Sequence, residues 1–257
     1  MGLVGSGRVV TTIMRPRRIT SGGCAVGADV AEHPLDNPVL AALADNQAAL
    51  GERKGRAVRY QPDIAPFAAL PADADDADWA DLAALAGPAA GVVITGPVGI
   101  ARPPALWQPV ERIAGMQMDG SGLDVRPDPE AVVLGESDVP EMLDLVARTR
   151  PGPFRTRTRL LGTYLGFRRG GALVAMAGER MRPPGWAEVS AVCTDPAHRG
   201  RGLAARLVRA VGAVARERGD VPFLHLAASN TGALRLYEQL GFTVRSRVCF
   251  ALLRTPD

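Results

Sequence analysis

Cysteine and histidine are scarce in this chain of 257 residues, and their scarcity excludes whole classes of site. The three cysteines, Cys24, Cys193 and Cys249, lie far apart and form no CxxC pair. We therefore expect neither a disulfide framework nor a zinc site, and a reducing cytoplasm fits best. The three histidines have no metal-ligand spacing either, so we expect no bound metal.

Long apolar runs are also missing. No segment approaches the roughly 18 apolar residues that a membrane-spanning helix needs, so we expect no membrane contact. Arg15, Arg17 and Arg18 interrupt the mildly apolar start before a signal-peptide core can form. We expect residues 1–30 to be a disordered extension of a cytoplasmic protein, in which Met14 could be the true start.

Lysine is almost absent, since Lys54 is the only one, and the positive charge is carried by arginine. The net charge of +3 is too small to argue for nucleic-acid binding. Its distribution is uneven: residues 1–124 contain 10 basic and 14 acidic side chains, whereas residues 125–257 contain 20 and 13. The C-terminal excess suits an anionic, phosphate-bearing ligand, although a solvated arginine-rich surface explains it equally well.

The stretch Asp119–Pro129 is rich in glycine, aspartate and proline and is the best candidate for a domain boundary. We predict an N-terminal α+β domain over residues 31–124 and a second domain over residues 125–257. In the first, periodic leucines predict a helix over Asn37–Lys54, and Gly91–Thr95 has the composition of a buried strand.

The second domain has a more regular pattern. We predict strands at Ala131–Leu134, Gly162–Arg168, Ala172–Met181, Trp186–Thr194 and Pro222–Ala227, and one or two final strands within Phe242–Leu253. Helices are predicted at Asp138–Thr149 (capped by Ser137), Leu203–Glu217 and Thr231–Leu240. This order predicts an α/β (α+β) fold, in which helices flank a mixed, mostly antiparallel central sheet.

A glycine-bearing loop joins the strand Trp186–Thr194 to the helix Leu203–Glu217. Gly200 and Gly202 permit a tight backbone that can approach a ligand closely. The first turn of the helix leaves N–H groups without internal partners, and these form a site for phosphate. An ordinary strand-to-helix connection with exposed arginines remains the alternative for this segment alone.

A second segment, Asn230–Phe242, follows the next strand. Together the two segments resemble the GNAT superfamily of acyl-CoA N-acyltransferases. Arg199–Ala204 is similar to its Q/R-x-x-G-x-G/A pyrophosphate loop, and Asn230–Phe242 to its N-x-x-A-x-x-L-Y-x-x-x-G-F signature. The resemblance covers about half of the chain, and both motifs occur in the family's order.

The resemblance implies a role for each matching position. The cofactor-binding residues would be Val192, Cys193, Thr194, Arg199, Gly200, Arg201, Gly202, Leu203, Ala204, Asn230 and Tyr237. The backbone of the first three would pair with the pantetheine arm, N–H groups from Arg201 to Ala204 would hold the pyrophosphate, and Asn230 would bond the cofactor arm. The hydroxyl of Tyr237 would protonate the departing thiolate.

An amine attacks only when it is neutral, so a base is needed. Glu188, on the strand that leads to the cofactor stretch, is the candidate, with Glu179 as the substitute. Glu188 could instead be a hydrogen-bonded or surface carboxylate, and Glu179 could instead attract a cationic acceptor. Cys193 could be a nucleophile, but direct attack in a ternary complex needs none. His225 belongs to the core or to the acceptor cleft, and the sequence leaves both open.

The predicted function is therefore transfer of an acetyl group from acetyl-CoA to a primary amine. A non-catalytic acyl-CoA sensor is the alternative, and an arginine-based nucleic-acid-binding protein is a more remote one. The amine could belong to a small molecule or a peptide, and the chain could be a monomer or a homodimer. Residues 31–124 could be a degenerate copy of the same fold that shapes the acceptor cleft, or a family-specific extension.

Overall fold

The computed structural model describes residues 33–97 and 103–257, so the predicted extension over residues 1–30 lies outside the described residues. Residues 33–257 form one compact unit. The first part of that unit contains α1 (Pro38–Ala44), β1 (Gly51–Lys54), β2 (Ala57–Tyr60), β3 (Phe67–Ala69), α2 (Asp76–Ala86), β4 (Gly91–Pro97) and β5 (Gln108–Asp119).

The second part repeats a similar order of elements and then adds more. It contains β6 (Val132–Val133), α3 (Val139–Thr149), β7 (Tyr164–Arg169), β8 (Ala172–Glu179), β9 (Trp186–Thr194), α4 (Leu203–Glu217), β10 (Val221–Ala227), α5 (Thr231–Gln239) and β11 (Thr243–Arg254). None of the helices in the two described ranges is long and apolar enough to cross a membrane.

The strands form one sheet in the order β1-β2-β3-β4-β11-β5-β10-β9-β8-β7-β6. Neighbouring strands run antiparallel except β3 beside β4 and β9 beside β10, which are parallel and are joined through α2 and α4. The sheet is therefore mixed and mostly antiparallel, as predicted.

The last strand of each part lies in the sheet between strands of the other part. β11 lies between β4 and β5, and β5 lies between β11 and β10. The predicted boundary at residue 124 falls in the connection from β5 to β6, and strands from both sides of it are hydrogen-bonded in the centre of the sheet.

The helices cover the sheet through regularly spaced apolar side chains. In α4 the buried Leu203, Leu207 and Val211 recur every four residues and therefore lie on one face of the helix. They pack with Leu224 of β10 and with Tyr237 of α5 in one core cluster. This packing fixes the start of α4 against the parallel pair β9 and β10.

Two local expectations were wrong, and one strand was missed. The helix predicted over Asn37–Lys54 ends at Ala44, and Gly51–Lys54 is strand β1. Gln47 explains the break, because its side-chain amide donates to the distant carbonyls of Leu161 and Arg180. Ser137 does not cap α3: a 3-10 turn precedes the helix, and its N-cap residue is Asp138. Strand β5 was not predicted at all.

Candidate active site

The parallel strands β9 and β10 separate part-way along their length. They pair only from Trp186 to Glu188 and from Val221 to Phe223. Beyond that point β10 continues along β5, whereas β9 continues along β8. The pairing of β8 with β9 is interrupted by a bulge, where Ala191 has a φ of +51°. We call the resulting gap between β9 and β10 the fork.

A cavity of about 820 Å³ opens at the fork. The residues predicted to bind a cofactor all line this fork cavity, except Arg201: Val192, Cys193, Thr194, Arg199, Gly200, Gly202, Leu203, Ala204, Asn230 and Tyr237. They come from β9, the glycine loop, α4 and α5. The geometry thus brings two separate sequence motifs to one place.

The glycine loop ends at the N-terminus of α4. Gly200 and Gly202 both have a φ of +73°, and a Cβ at either position would meet no atom within 4 Å. Glycine is thus required by the backbone conformation and not by space. Gly202 is the N-cap residue, and it offers no side-chain acceptor to the first-turn N–H groups. These donors at the cavity wall are suited to an anionic group.

Thr194 and Asn230 have polar side chains at the same cavity. The buried Oγ1 of Thr194 has no hydrogen-bond partner within residues 33–97 and 103–257, although it lines the cavity. Asn230 was predicted to bond the cofactor arm. In the structure its Oδ1 caps α5 by accepting from the N–H of Ala233 at 3.1 Å. Its amide nitrogen is not used in that cap.

Tyr237 lies on α5 and lines the fork cavity. Its ring packs against Phe242 with the centroids 5.8 Å apart. Burial raises the pKa of Tyr237 to about 12, and no hydrogen bond within the described ranges opposes that rise. The phenol therefore keeps its proton at neutral pH, which a general acid must do.

The placement of Glu188 argues against the base role expected for it. The side chain is fully buried, and its two oxygens accept from Nε and Nη2 of Arg180 at 2.8 and 2.5 Å. Burial by itself would raise the pKa of Glu188, but Arg180 and then His225 lower it to about 2. Glu188 is not among the residues that line the cavity. A carboxylate so strongly paired is a poor proton acceptor.

The substitute base and the possible nucleophile fit their roles no better. Glu179 is buried, accepts a hydrogen bond from the backbone N–H of Thr163 and is ion-paired with Arg218. It lines neither of the cavities described here. Burial raises the pKa of the Cys193 thiol, which disfavours the thiolate that a nucleophile requires.

His225 of β10 is the titratable group that the sequence left undecided. Its Nδ1 lies 2.7 Å from Oε1 of Glu188, and its Nε2 lies 3.0 Å from Nε2 of Gln117. The Gln117 amide is oriented by Arg245, which donates to its Oε1, and by the carbonyl of Leu35, which accepts from its Nε2. Nε2 of His225 must therefore accept, and Nδ1 carries the proton that is donated to Glu188.

A second cavity of about 310 Å³ adjoins the first. The two share Pro151, Arg180, His225, Leu226 and Ala227 among their lining residues. Strands β3, β4, β5 and β11 supply much of the remaining wall. A group bound in the second cavity can thus reach the fork through a junction at which Arg180 and His225 are the ionisable side chains.

Comparison with known proteins agrees with this geometry. Residues 164–251 match the family model described as FR47-like protein. A protein of the GNAT family from Novosphingobium aromaticivorans is 44% identical, with a TM-score of 0.80, and the match covers 88% of this chain and all of that one. The chain belongs to the GNAT family. This confirms the resemblance to the GNAT family, and the enzyme class, acetyltransferase, that was inferred from the two motifs.

Two further relatives match different shares of the chain. A GCN5-related N-acetyltransferase from Kribbella flavida has the same fold at 20% identity, with a TM-score of 0.54 over 84% of this chain and 96% of that one. The N-alpha-acetyltransferase RimI of Mycobacterium tuberculosis is 43% identical over 82 residues, which are 31% of this chain. That match spans 51% of RimI, about half the length of this curated relative.

Proposed function

We propose that this GNAT chain transfers an acetyl group from acetyl-CoA to a primary amine, by direct attack of the amine on the thioester. The fork carries this proposal. The N-terminus of α4, which has no side-chain cap, and Tyr237 both line its cavity, and five of the lining residues also line the second cavity. An anionic cofactor and an amine can therefore enter from different sides and meet.

The residues present suit CoA as the acetyl donor. The N–H groups from Arg201 to Ala204 and the dipole of α4 would hold the pyrophosphate. Beyond Glu188, β9 has no strand partner on its β10 side among the described residues, so the backbone of Val192–Thr194 would pair with the amide-bearing arm. The hydroxyl of Thr194 supplies a buried polar atom that has no hydrogen-bond partner among the described residues.

We assign the proton transfers to two residues. Tyr237 would protonate the leaving thiolate, because it is protonated at neutral pH and lines the fork cavity. His225 would take the proton from the attacking amine in place of Glu188, since it lines both cavities and its Nε2 carries a lone pair. An arriving ammonium must displace the Gln117 amide from that nitrogen. Glu188 then orients the imidazole and stabilises its charged form.

Thiol release by the purified chain with acetyl-CoA and a set of amines tests this function. The name of the mycobacterial relative makes peptide N-termini the first amines to include. We expect Tyr237→Phe to lower kcat about 100-fold while the Kd for CoA, measured calorimetrically, stays unchanged. Binding of acetyl-CoA without thiol release across the whole set would identify a sensor and contradict the proposal.

A further inference from the structure

We propose that the second cavity is the acceptor site and that it selects an α-amino-acyl group with an apolar side chain. Such a group has a primary amine, a carbonyl on the adjacent carbon and a hydrocarbon substituent. The proposal deepens the acetyl-transfer function and rests on it. It commits to one part of the acceptor, the residue that bears the amine, and three features of the cavity support it.

The first feature is an apolar wall built by strands of both parts of the chain. Phe67 on β3 pairs with Val93 on β4, which pairs with Leu252 on β11, and Phe250 on β11 pairs with Ile113 on β5. All five side chains line the cavity. Adjacent strands in register thus present one continuous apolar surface, on which a hydrocarbon side chain loses its contact with water.

The second feature is the unused corner of the Arg180 guanidinium. Nε and Nη2 are bound to Glu188, but Nη1 has no acceptor in the described parts of the chain. Arg180 lines both cavities, and the ring of Phe67 lies 4.7 Å from its Cζ. Because Glu188 already balances the charge, Nη1 is suited to a carbonyl oxygen at the junction.

The third feature is the charge at the opening. Glu111 is exposed and is the one carboxylate among the described residues that line the second cavity. It attracts the ammonium form in which an amine arrives at neutral pH. An amine that enters past Glu111 and reaches His225 at the junction, a carbonyl at Arg180 and an apolar side chain against the wall together describe the amino-terminal residue of a peptide, or a free amino acid.

Matched acceptors in the thiol-release assay test the proposal on the intact chain. Leucinamide and glycinamide differ only in the hydrocarbon side chain, and we expect kcat/KM to be at least about tenfold higher for leucinamide. Isopentylamine keeps the hydrocarbon but lacks the carbonyl, and Nα-acetyl-lysinamide presents a side-chain amine. With kcat/KM expressed per neutral amine, because alkylamines and lysine side chains are more protonated than an α-amino amide, both should be acetylated at least about tenfold more slowly than leucinamide.

The two sources of the group are separated by comparing free leucine with the peptide Leu-Gly-Gly. Preference for the peptide identifies a polypeptide terminus, and preference for leucine identifies an amino acid; each supports the site. Glycinamide, isopentylamine or acetyl-lysinamide used as well as leucinamide would overturn the selectivity and leave acetyl transfer intact. Failure to acetylate any amine would instead contradict the function itself.

Two variants link the selectivity to this cavity. Ile113→Ser should raise KM for leucinamide but not for glycinamide. Val133→Ser, at another exposed β-branched residue on the far edge of the sheet, should leave both unchanged. Arg180→Lys should bring the ratio of leucinamide to isopentylamine close to one. If this buried variant fails to fold, Ile113→Ser still decides, because an unchanged leucinamide to glycinamide ratio would overturn the proposal.

Discussion

At the scale of single residues, Arg180, Glu188 and His225 show how one carboxylate can serve a site without touching its substrates. A buried carboxylate is costly unless it is paired, and Arg180 supplies two charge-assisted hydrogen bonds to it. The remaining capacity of Glu188 accepts the N–H of His225. Glu188 thus holds the imidazole of His225 in place, and His225 lines both cavities.

The pairing of Glu188 predicts how stability depends on pH. Its pKa is about 2 in the folded chain against an ordinary 4.5, so the folded state favours the ionised form. The stabilisation is present in full above pH 4.5 and is lost as the pH falls toward 2; its size is about 3 kcal/mol. Urea unfolding of the wild type between pH 6 and pH 2 should show this loss.

The same measurement on Glu188→Gln gives the comparison. The variant should be less stable than the wild type at neutral pH, by about 3–5 kcal/mol, because Arg180 is left buried and unpaired. Its free energy of unfolding should then fall less steeply with acid. Equal slopes for the two proteins between pH 4.5 and pH 2 would show that the pair does not govern acid stability.

A separate prediction concerns His225. Free imidazole can replace a missing catalytic base, but it cannot replace a side chain that has only a structural role. His225→Ala should lower kcat about 100-fold, with the Kd for CoA unchanged. Added imidazole should restore part of the lost rate by occupying the vacated space at the junction of the cavities. A variant with nearly wild-type turnover would remove His225 from the mechanism.

At the scale of elements, the start of α4 depends on a backbone conformation that only glycine adopts easily. Gly202→Ala, at a φ of +73°, should cost about 1–2 kcal/mol and displace the first-turn N–H groups. We expect the Kd for CoA, measured by calorimetry, to rise about tenfold. Gly219→Ala is the matched control, since Gly219 has a φ of +85° beyond the other end of α4 and lines neither cavity. Its Kd should not change.

How far the sequence predicts an element depends on where the decisive contacts come from. The bounds of β9 and α4 were predicted correctly, because alternation and the four-residue apolar repeat are local signals. β5 has Pro109 and Gly115 within it and exposes most of its first half, so no local pattern marks it as a strand. Its pairing with β10 and β11 decides its conformation, and that information lies more than 100 residues away.

The candidate site likewise contains residues that local motifs predict and residues that only the folded sheet brings together. The glycine loop and the Asn230–Phe242 segment are compact motifs, and their residues could be named from the sequence. The position of His225 depends on Gln117 of β5 and on Glu188 of β9, which converge only in the folded sheet. Phe67 and Phe250 likewise both line the second cavity, and no spacing along the chain indicates that they lie in one place.

At the scale of the whole molecule, the sheet has an approximate internal symmetry. β1 to β4 are joined by two antiparallel pairs and then a parallel pair with a helix between them, and β7 to β10 repeat that pattern. This supports the hypothesis that residues 31–124 are a degenerate copy of the C-terminal part. The N-terminus of α2 differs from that of α4 in its charge: Asp75 caps α2, and Asp76 and Asp78 lie in its first turn, where they would repel an anion.

The exchange of central strands leads to a prediction about the two parts in isolation. β11 pairs along its length with β5, from Thr243 to Arg254, so residues 125–257 alone would lose the partner of both β10 and β11. The fork would lose its support on the β5 side, and one edge of β10 and both edges of β11 would be exposed to solvent or aggregation. We expect the fragment 125–257 to lack cooperative urea unfolding and thiol release.

Co-expression with the fragment 1–124 should restore both properties, because the missing strand returns without a covalent link. The intact chain cut once within residues 120–129 is the matched control, since it keeps every strand and should remain active after the cut. Size-exclusion chromatography and circular dichroism would follow assembly. A fragment 125–257 that is monomeric, unfolds cooperatively and turns over acetyl-CoA by itself would show that the exchanged strand is dispensable, and that the second part is an independent catalytic domain.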